Sequence, residues 1–298
     1  MAARHSTAPF GRVLVAMVTP FTAAGDVDLE GAQRLATHLV DAGCDGLVVS
    51  GTTGEAPTTS DQEKERLLHA VVEAVGHRAH VVAGVGTNDT AHSIELARTA
   101  EKAGVGGLLV VTPYYSKPPQ HGLLAHFRAI ADATGLPNIL YDIPSRTGVP
   151  ITTDTLVRLA DEERIVAVKD AKDDLGETSR LLARTDLAVY CGTDMLNLPQ
   201  LAIGGVGCVS VVGHVFVREI REMYDAFAAG DVARAAEIHR RLVPAYTGFF
   251  RTQGVITTKA ALAMLGLPAG PVRPPLVDAT DEERAQLRED LVAAGLEL

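Results

Sequence analysis

The chain has 298 residues, of which 47% are hydrophobic, and its 37 acidic and 27 basic residues give a formal net charge of -10. The charge is spread without a basic block and no run of about twenty apolar residues occurs, which argues against a nucleic-acid partner and against a membrane span. The N-terminus lacks the apolar core of a signal peptide, so we expect a cytoplasmic protein.

Apolar runs of strand length alternate with segments of helical periodicity along most of the chain. This alternation is typical of a parallel α/β fold, in which a crossover helix follows each strand. Eight continuous apolar runs joined by short loops favour a (β/α)8 TIM barrel over an open doubly wound sheet. The predicted strands are residues 13–18, 46–50, 80–85, 107–112, 138–142, 165–169, 187–191 and 207–212.

Helices are predicted between these strands and after the last one. The sequence Ser60-Asp-Gln-Glu63 is a capping box, which predicts a helix start at that point. After the eighth run the strand pattern ends, and a break is expected at Gly230. We therefore expect a barrel domain at residues 1–231 and a C-terminal helical domain at residues 232–298. The helices predicted in this last part of the chain are residues 217–227, 232–241, 257–265 and 281–294.

The sixth run ends in Lys169, and reactive groups of a barrel lie at the C-terminal ends of its strands. An amine lodged among the apolar residues 165–168 is partly desolvated, which disfavours its ammonium form and leaves a nucleophile for a carbonyl substrate. Taken alone, a strand-end lysine that reaches solvent or pairs with Asp170 is the more common arrangement. The residues at the other strand ends change that balance.

Three further strand ends carry polar groups. The second strand runs into Gly-Thr-Thr-Gly-Glu at residues 51–55, where backbone amides and two hydroxyls suit a carboxylate or a proton transfer. The fourth ends in Tyr114 and Tyr115. The fifth ends in Tyr141, whose phenol could exchange protons with an imine, and is followed by Arg146, whose guanidinium could hold a carboxylate. Each of these residues could by itself have a purely structural role, but together they indicate an active site.

Three motifs, at residues 51–55, 141–148 and 168–170, resemble in order and spacing the dihydrodipicolinate synthase family of pyruvate-dependent class I aldolases. The resemblance covers essentially the whole chain, including the helical tail. It implies a lyase without a cofactor, usually a homotetramer. It also implies that pyruvate and L-aspartate-4-semialdehyde are joined through a lysine Schiff base, in lysine and diaminopimelate biosynthesis.

The resemblance also implies a role for individual residues. Lys169 would carry the pyruvate imine, and Tyr141 would donate and accept protons. Thr52 would join the proton relay, and Tyr115 would complete the relay of a neighbouring subunit. Thr53 would hold the pyruvate carboxylate, and Arg146 would hold the carboxylate of the aldehyde substrate. Val209 would contact pyruvate through its backbone.

One departure from the family pattern concerns regulation. Family members regulated by lysine carry histidines after the Gly-Thr-Thr-Gly-Glu turn and a carboxylate near the third strand. Here those places hold Asp61, Lys64 and His92. Because Lys64 would put a like charge beside a cationic effector, we expect L-lysine to inhibit weakly or not at all.

Other functions remain open at this point. A lyase acting on sialic acid or a 2-keto-3-deoxy sugar acid would use the same lysine, tyrosine and glycine-rich turn, although Arg146 favours a small acceptor with a carboxylate. A catalytically inactive barrel that only binds would be expected to lack Lys169 or Tyr141. The glycines at 84–86 and 204–207 complete neither GxGxxG nor a P-loop, so a nucleotide site is not favoured.

A metal-dependent aldolase is a further alternative. It would need histidine and carboxylate ligands at strand ends, but the pairs His77/His80 and His121/His126 have neither helix-face spacing nor an acidic partner. The three cysteines are far apart in apolar surroundings, which predicts buried reduced thiols rather than a disulfide or metal site. They are Cys44, Cys191 and Cys208.

Overall fold

A computed structural model describes residues 8–298 and contains a closed barrel of eight parallel strands, which confirms the predicted fold. The strands follow one another around the barrel in chain order, and β8 closes it by pairing with β1. Most strand residues are buried, as expected for a parallel sheet covered on both faces. The strands are β1 Val13–Ala16, β2 Gly46–Val49, β3 His80–Gly84, β4 Gly107–Val111, β5 Asn138–Asp142, β6 Ile165–Asp170, β7 Ala188–Cys191 and β8 Gly207–Ser210.

Helices follow the strands and cover the barrel. The capping box predicted at Ser60 and Glu63 is confirmed, since each side chain accepts a hydrogen bond from the other residue's backbone N–H. The barrel helices are α1 Leu29–Asp41, α2 Asp61–Val75, α3 Thr90–Lys102, α4 Gln120–Ala131, α5 Pro144–Thr147, α6 Thr153–Leu159, α7 Leu175–Leu182, α8 Asn197–Ala202 and α9 Gly213–Ala228. Three helices follow them: α10 Val232–Gly248, α11 Gly254–Met264 and α12 Asp281–Ala293.

Five predicted strands extend one or two residues beyond the C-terminal ends of the observed ones. The apolar run continues because the loops at the strand ends are buried as well. In the first of these loops Met17 and Val18 are buried, yet the backbone N–H of Val18 donates to His214 Nε2 instead of a strand carbonyl. A prediction based on apolar runs alone therefore makes these strands too long.

The C-terminal helices also differ from their predicted limits. Helix α9 begins four residues before the predicted start at residue 217, and α10 runs seven residues beyond the predicted end at residue 241. Helix α10 continues through Pro244 because Leu242, Ala245 and Tyr246 are buried on one face. The predicted break is confirmed: Gly230 has a φ of +83° and Asp231 caps α10.

The three cysteines are free and buried, as predicted. Burial raises the pKa of Cys44 to about 12 and holds the pKa values of Cys191 and Cys208 well above the ordinary range. Within residues 8–298, no three His, Cys, Asp or Glu side chains lie together in a way that could hold a metal ion. In the same part of the chain, every helix is too short or too polar to cross a bilayer.

Candidate active site

Tyr141 and Lys169 lie side by side at the C-terminal ends of β5 and β6. The two residues are paired in the β5–β6 register, and Lys169 Nζ lies 4.1 Å from the centroid of the Tyr141 ring. Each residue is only 5% exposed. The amine therefore faces an aromatic surface and is largely removed from solvent.

A cavity of about 640 Å³ opens above this pair. It brings together five of the seven residues predicted for the site: Thr52, Thr53, Tyr141, Arg146 and Lys169. Residues that follow α10 also line the cavity, and none of them is predicted from the sequence to belong to the site. They are Phe250, Thr252, Gln253, Gly254, Val255, Pro275 and Leu276.

The threonine pair lies on a tight turn after β2. Glu55 donates its backbone N–H to Thr52 O over 3.1 Å, which closes the turn. A Cβ on Gly54 would lie 3.2 Å from Met17 O and 3.1 Å from Ser50 N, so the turn packs closely against the residue after β1 and against its own start. Because the backbone is fixed there, the hydroxyls of Thr52 and Thr53 are held at the cavity wall.

Arg146 lies on the short helix α5 at the exposed side of the cavity. Its Nη1 donates to Gln253 Oε1 over 2.8 Å, and Gln253 is the residue before α11. The guanidinium retains other N–H groups that can donate to a substrate carboxylate. No local signal in the sequence could have found Gln253, because 107 positions separate it from Arg146.

Two carboxylates follow Tyr141 and Lys169 along the strands. Asp142 Oδ2 lies 3.3 Å from Lys172 Nζ, and Asp142 also accepts a hydrogen bond from the backbone N–H of Ile151. Burial raises the pKa of Asp142 to about 6 against the opposing effect of Lys172. Asp170 accepts a hydrogen bond from Thr178 Oγ1 over 2.6 Å, so its carboxylate is engaged away from Lys169.

The other two predicted residues, Tyr115 and Val209, are not among the residues that line this cavity. Tyr115 is 88% exposed, with a φ of +74°, in the loop after β4. Val209 is buried within β8, and Val211, two residues later, lines the cavity instead.

A second cavity, of about 410 Å³, adjoins the first and shares Thr52, Tyr141 and Arg146 with it. It also contains the three residues singled out for regulation. Asp61 Oδ2 lies 2.8 Å from His92 Nε2, and Asp61 Oδ1 lies 3.4 Å from Lys64 Nζ. Lys64 donates a further hydrogen bond to Thr59 O over 2.6 Å.

Comparison with known proteins gives one consistent result. The sequence model of the dihydrodipicolinate synthetase family matches residues 9–294. "4-hydroxy-tetrahydrodipicolinate synthase 2" of Streptomyces coelicolor is 69% identical over 290 residues, which are 97% of each chain. DHDPS from Cyanidioschyzon merolae, solved with lysine bound, matches with a TM-score of 0.95 and 44% identity over 97% of this chain and 99% of that one. The chloride-inhibited dihydrodipicolinate synthase of Acinetobacter baumannii, solved with pyruvate, has a TM-score of 0.93 and 34% identity over 97% and 99% of the two chains.

Proposed function

The chain belongs to the dihydrodipicolinate synthetase family, and on this premise we propose that it condenses pyruvate with L-aspartate-4-semialdehyde, as a 4-hydroxy-tetrahydrodipicolinate synthase. The observation that carries the proposal is the buried Lys169 amine against the Tyr141 ring, at the base of a cavity that also holds Arg146. This arrangement supplies an imine-forming nucleophile, a proton carrier and a carboxylate ligand in one place.

The first chemical step is imine formation. Lys169 Nζ attacks the ketone carbon of pyruvate, and the carbonyl oxygen leaves as water after proton transfers through Tyr141 and Thr52. The protonated imine nitrogen withdraws electrons, so the neighbouring methyl group loses a proton and an enamine forms. In this proposal Thr53 holds the pyruvate carboxylate, and the backbone of Val209 contacts pyruvate.

The second step is carbon–carbon bond formation. The enamine carbon attacks the aldehyde carbon of the semialdehyde, and the aldehyde oxygen takes up a proton from the Tyr141 relay. The amino group of the semialdehyde portion then attacks the imine carbon, which closes the ring and releases Lys169. No redox cofactor is required, because every step moves electron pairs and protons between the two substrates and the protein.

Arg146 supports the choice of acceptor. A guanidinium at the open side of the cavity matches the carboxylate of a small amino-acid aldehyde, with which it can form two parallel hydrogen bonds. A neutral sugar acceptor would leave that guanidinium without a charged partner. The sugar-acid lyase alternative is therefore disfavoured.

The assembly is part of the proposal as well. We propose a cytoplasmic homotetramer in which the exposed Tyr115 enters the site of a neighbouring subunit and completes its proton relay. Exposure of a tyrosine in a loop after a barrel strand supports this, since a large aromatic side chain facing solvent is a common feature of contact surfaces. We further propose the division into a barrel domain, residues 1–231, and a helical domain, residues 232–298.

The test is an assay of pyruvate consumption with L-aspartate-4-semialdehyde, beside N-acetylmannosamine and glyceraldehyde as other acceptors. Turnover is expected with the semialdehyde alone. In parallel, borohydride treatment with pyruvate should label the wild type and Lys172→Arg, but not Lys169→Arg, as read by peptide mass. Turnover with a sugar acceptor instead would keep the imine mechanism and overturn the proposed acceptor.

A further inference from the structure

Glu55, the last residue of the turn that carries Thr52 and Thr53, is held in an unusual conformation. Its φ of +56° lies in the left-handed region, which a side chain with a Cβ adopts at an energetic cost. The residue is only 3% exposed, although glutamate is rarely buried without a partner. Strain and a buried charge at one position beside an active site require surrounding contacts to maintain them.

The partner of Glu55 comes from the other end of the chain. Lys259 in α11 places Nζ 2.6 Å from Glu55 Oε1, and both side chains are almost fully buried. Lys259 Nζ also donates to Pro271 O over 2.7 Å and lies 4.1 Å from the centroid of the Phe21 ring. Burial lowers the pKa of Lys259, and the Glu55 carboxylate opposes that shift.

Arg273 reinforces the same connection. Its backbone N–H donates to Glu55 Oε2 over 2.8 Å, so both carboxylate oxygens face groups from beyond residue 258. Its guanidinium donates to Thr58 O and to Glu63, which fastens the segment to the start of α2. The left-handed residue of the turn is thus held from the C-terminal region.

We propose that Glu55, paired with Lys259, is a positioning residue that holds Thr52 and Thr53 in the orientation needed at the pyruvate subsite. The backbone supports this, because Glu55 closes the turn through its hydrogen bond to Thr52 O, so movement of Glu55 moves both threonines. The inference rests on the proposed function, since it gives Thr53 the pyruvate carboxylate. It makes α11 and the segment around Arg273 part of the support of the active site.

The pair also has a chemical consequence for substitutions. Removal of one partner leaves an unpaired buried charge, whereas removal of both charges does not. Lys259→Met and Glu55→Gln should therefore each disturb the turn, and the double variant should recover most of the loss. A misplacement of about 1 Å in a binding group is enough to reduce catalysis on the order of a hundredfold.

The experiment measures the pyruvate dependence of both turnover and borohydride trapping in the two single variants and the double variant. Each single variant is expected to raise the KM for pyruvate about tenfold and to lower kcat, with a much smaller change in the KM for the semialdehyde. Asp290→Asn is the matched control, because it breaks the Arg251–Asp290 ion pair of the same helical region. It should lower thermal stability and leave the KM for pyruvate unchanged.

A folded single variant with the wild-type dependence on pyruvate would overturn the inference. Should the single variants not fold, Lys259→Arg keeps the charge but displaces the carboxylate, and a wild-type KM for pyruvate in that variant would overturn it equally. Trapping requires no acceptor aldehyde, so failure of the proposed function can be distinguished from failure of the proposed role of Glu55 and Lys259. Absence of trapping in the wild type contradicts the proposed function, whereas trapping with unchanged pyruvate dependence in the variants contradicts only the role of Glu55 and Lys259.

Discussion

The hydroxyl of Tyr141 can be tested apart from its ring. Tyr141→Phe keeps the aromatic face 4.1 Å from Lys169 Nζ and removes only the proton carrier. We expect kcat to fall about a hundredfold or more while the fold is kept, because general acid–base catalysis ordinarily contributes that much. Steady-state kinetics and thermal melting measure the two effects. Full turnover in Tyr141→Phe would remove Tyr141 from the mechanism.

Tyr190→Phe is the matched control for that variant. Tyr190 is paired with Lys169 across β6 and β7, but its hydroxyl donates to Gly11 O and accepts from the Phe10 N–H. Loss of these buried hydrogen bonds is expected to lower stability by about 1 kcal/mol and to leave kcat near the wild-type value. The contrast separates a phenol in the reaction from a phenol in the core.

Gln253 is expected to affect the acceptor rather than pyruvate. Gln253→Leu removes the oxygen that accepts from Arg146 Nη1 over 2.8 Å, so the guanidinium gains freedom it must lose on binding the semialdehyde. The KM for the semialdehyde should rise about tenfold, since a hydrogen bond to a charged group contributes about 1.5 kcal/mol. The KM for pyruvate should stay the same.

A double-mutant cycle provides the control for Gln253. In an Arg146→Ala background, Gln253→Leu should have no further effect on the KM for the semialdehyde, because the two residues act through one contact. Independent, multiplicative effects would show that Gln253 does not act through Arg146.

At the scale of helices, α2 and α3 determine the expected response to lysine. Asp61 at the start of α2 already engages Lys64 and His92. Among the described residues that line the second cavity, a cationic ligand therefore meets the buried Lys64 and no carboxylate without a partner. We expect L-lysine at about 1 mM to leave the rate nearly unchanged. Lys64→Met should increase sensitivity to L-lysine, because it removes the like charge and frees Asp61. Strong inhibition of the wild type in a steady-state assay would contradict this prediction.

The contact between α2 and the Arg273 segment predicts a pH dependence of stability. The hydrogen bonds from Arg273 lower the pKa of Glu63 to about 2, from 4.5. A carboxylate with a lowered pKa in the folded state stabilises the fold above its unfolded pKa, and this contribution is lost as the pH falls from about 4.5 towards 2. By pH 3.5 the loss should be about 1 kcal/mol.

Urea denaturation of Glu63→Gln measures this contribution. Glutamine keeps the capping box but does not titrate, so the variant should lose less stability than the wild type between pH 6 and pH 3.5. Glu65→Gln, at an exposed position of the same helix, should follow the wild type. An identical acid profile in Glu63→Gln and wild type would show that the ion pair adds no stability.

At the scale of the whole molecule, a feature can be predicted from the sequence when the interactions that form it are local in the chain. The eight strands, the capping box and the Lys169–Tyr141 pair were predictable, because hydrophobic runs and strand ends are local features of the sequence. Gln253, Lys259 and Arg273 were missed because their partners lie 107 or more positions away, and no local pattern encodes such a contact. Local patterns therefore predicted strand ends that the structure brings together, but not the C-terminal residues that contact Arg146 and Glu55.

Tyr115 is expected to act only in the assembled enzyme. The side chain is 88% exposed and does not line the main cavity of its own chain, so a catalytic role requires a second subunit. Tyr115→Phe should lose most of its turnover and still form the pyruvate imine. When Tyr115→Phe and Tyr141→Phe chains are refolded together, a mixed dimer contains one site with both tyrosines intact. Because random mixing places about a quarter of all sites in this state, activity should return to roughly a quarter of the wild-type value. If the mixture is no more active than its separate components, Tyr115 does not serve a neighbouring site.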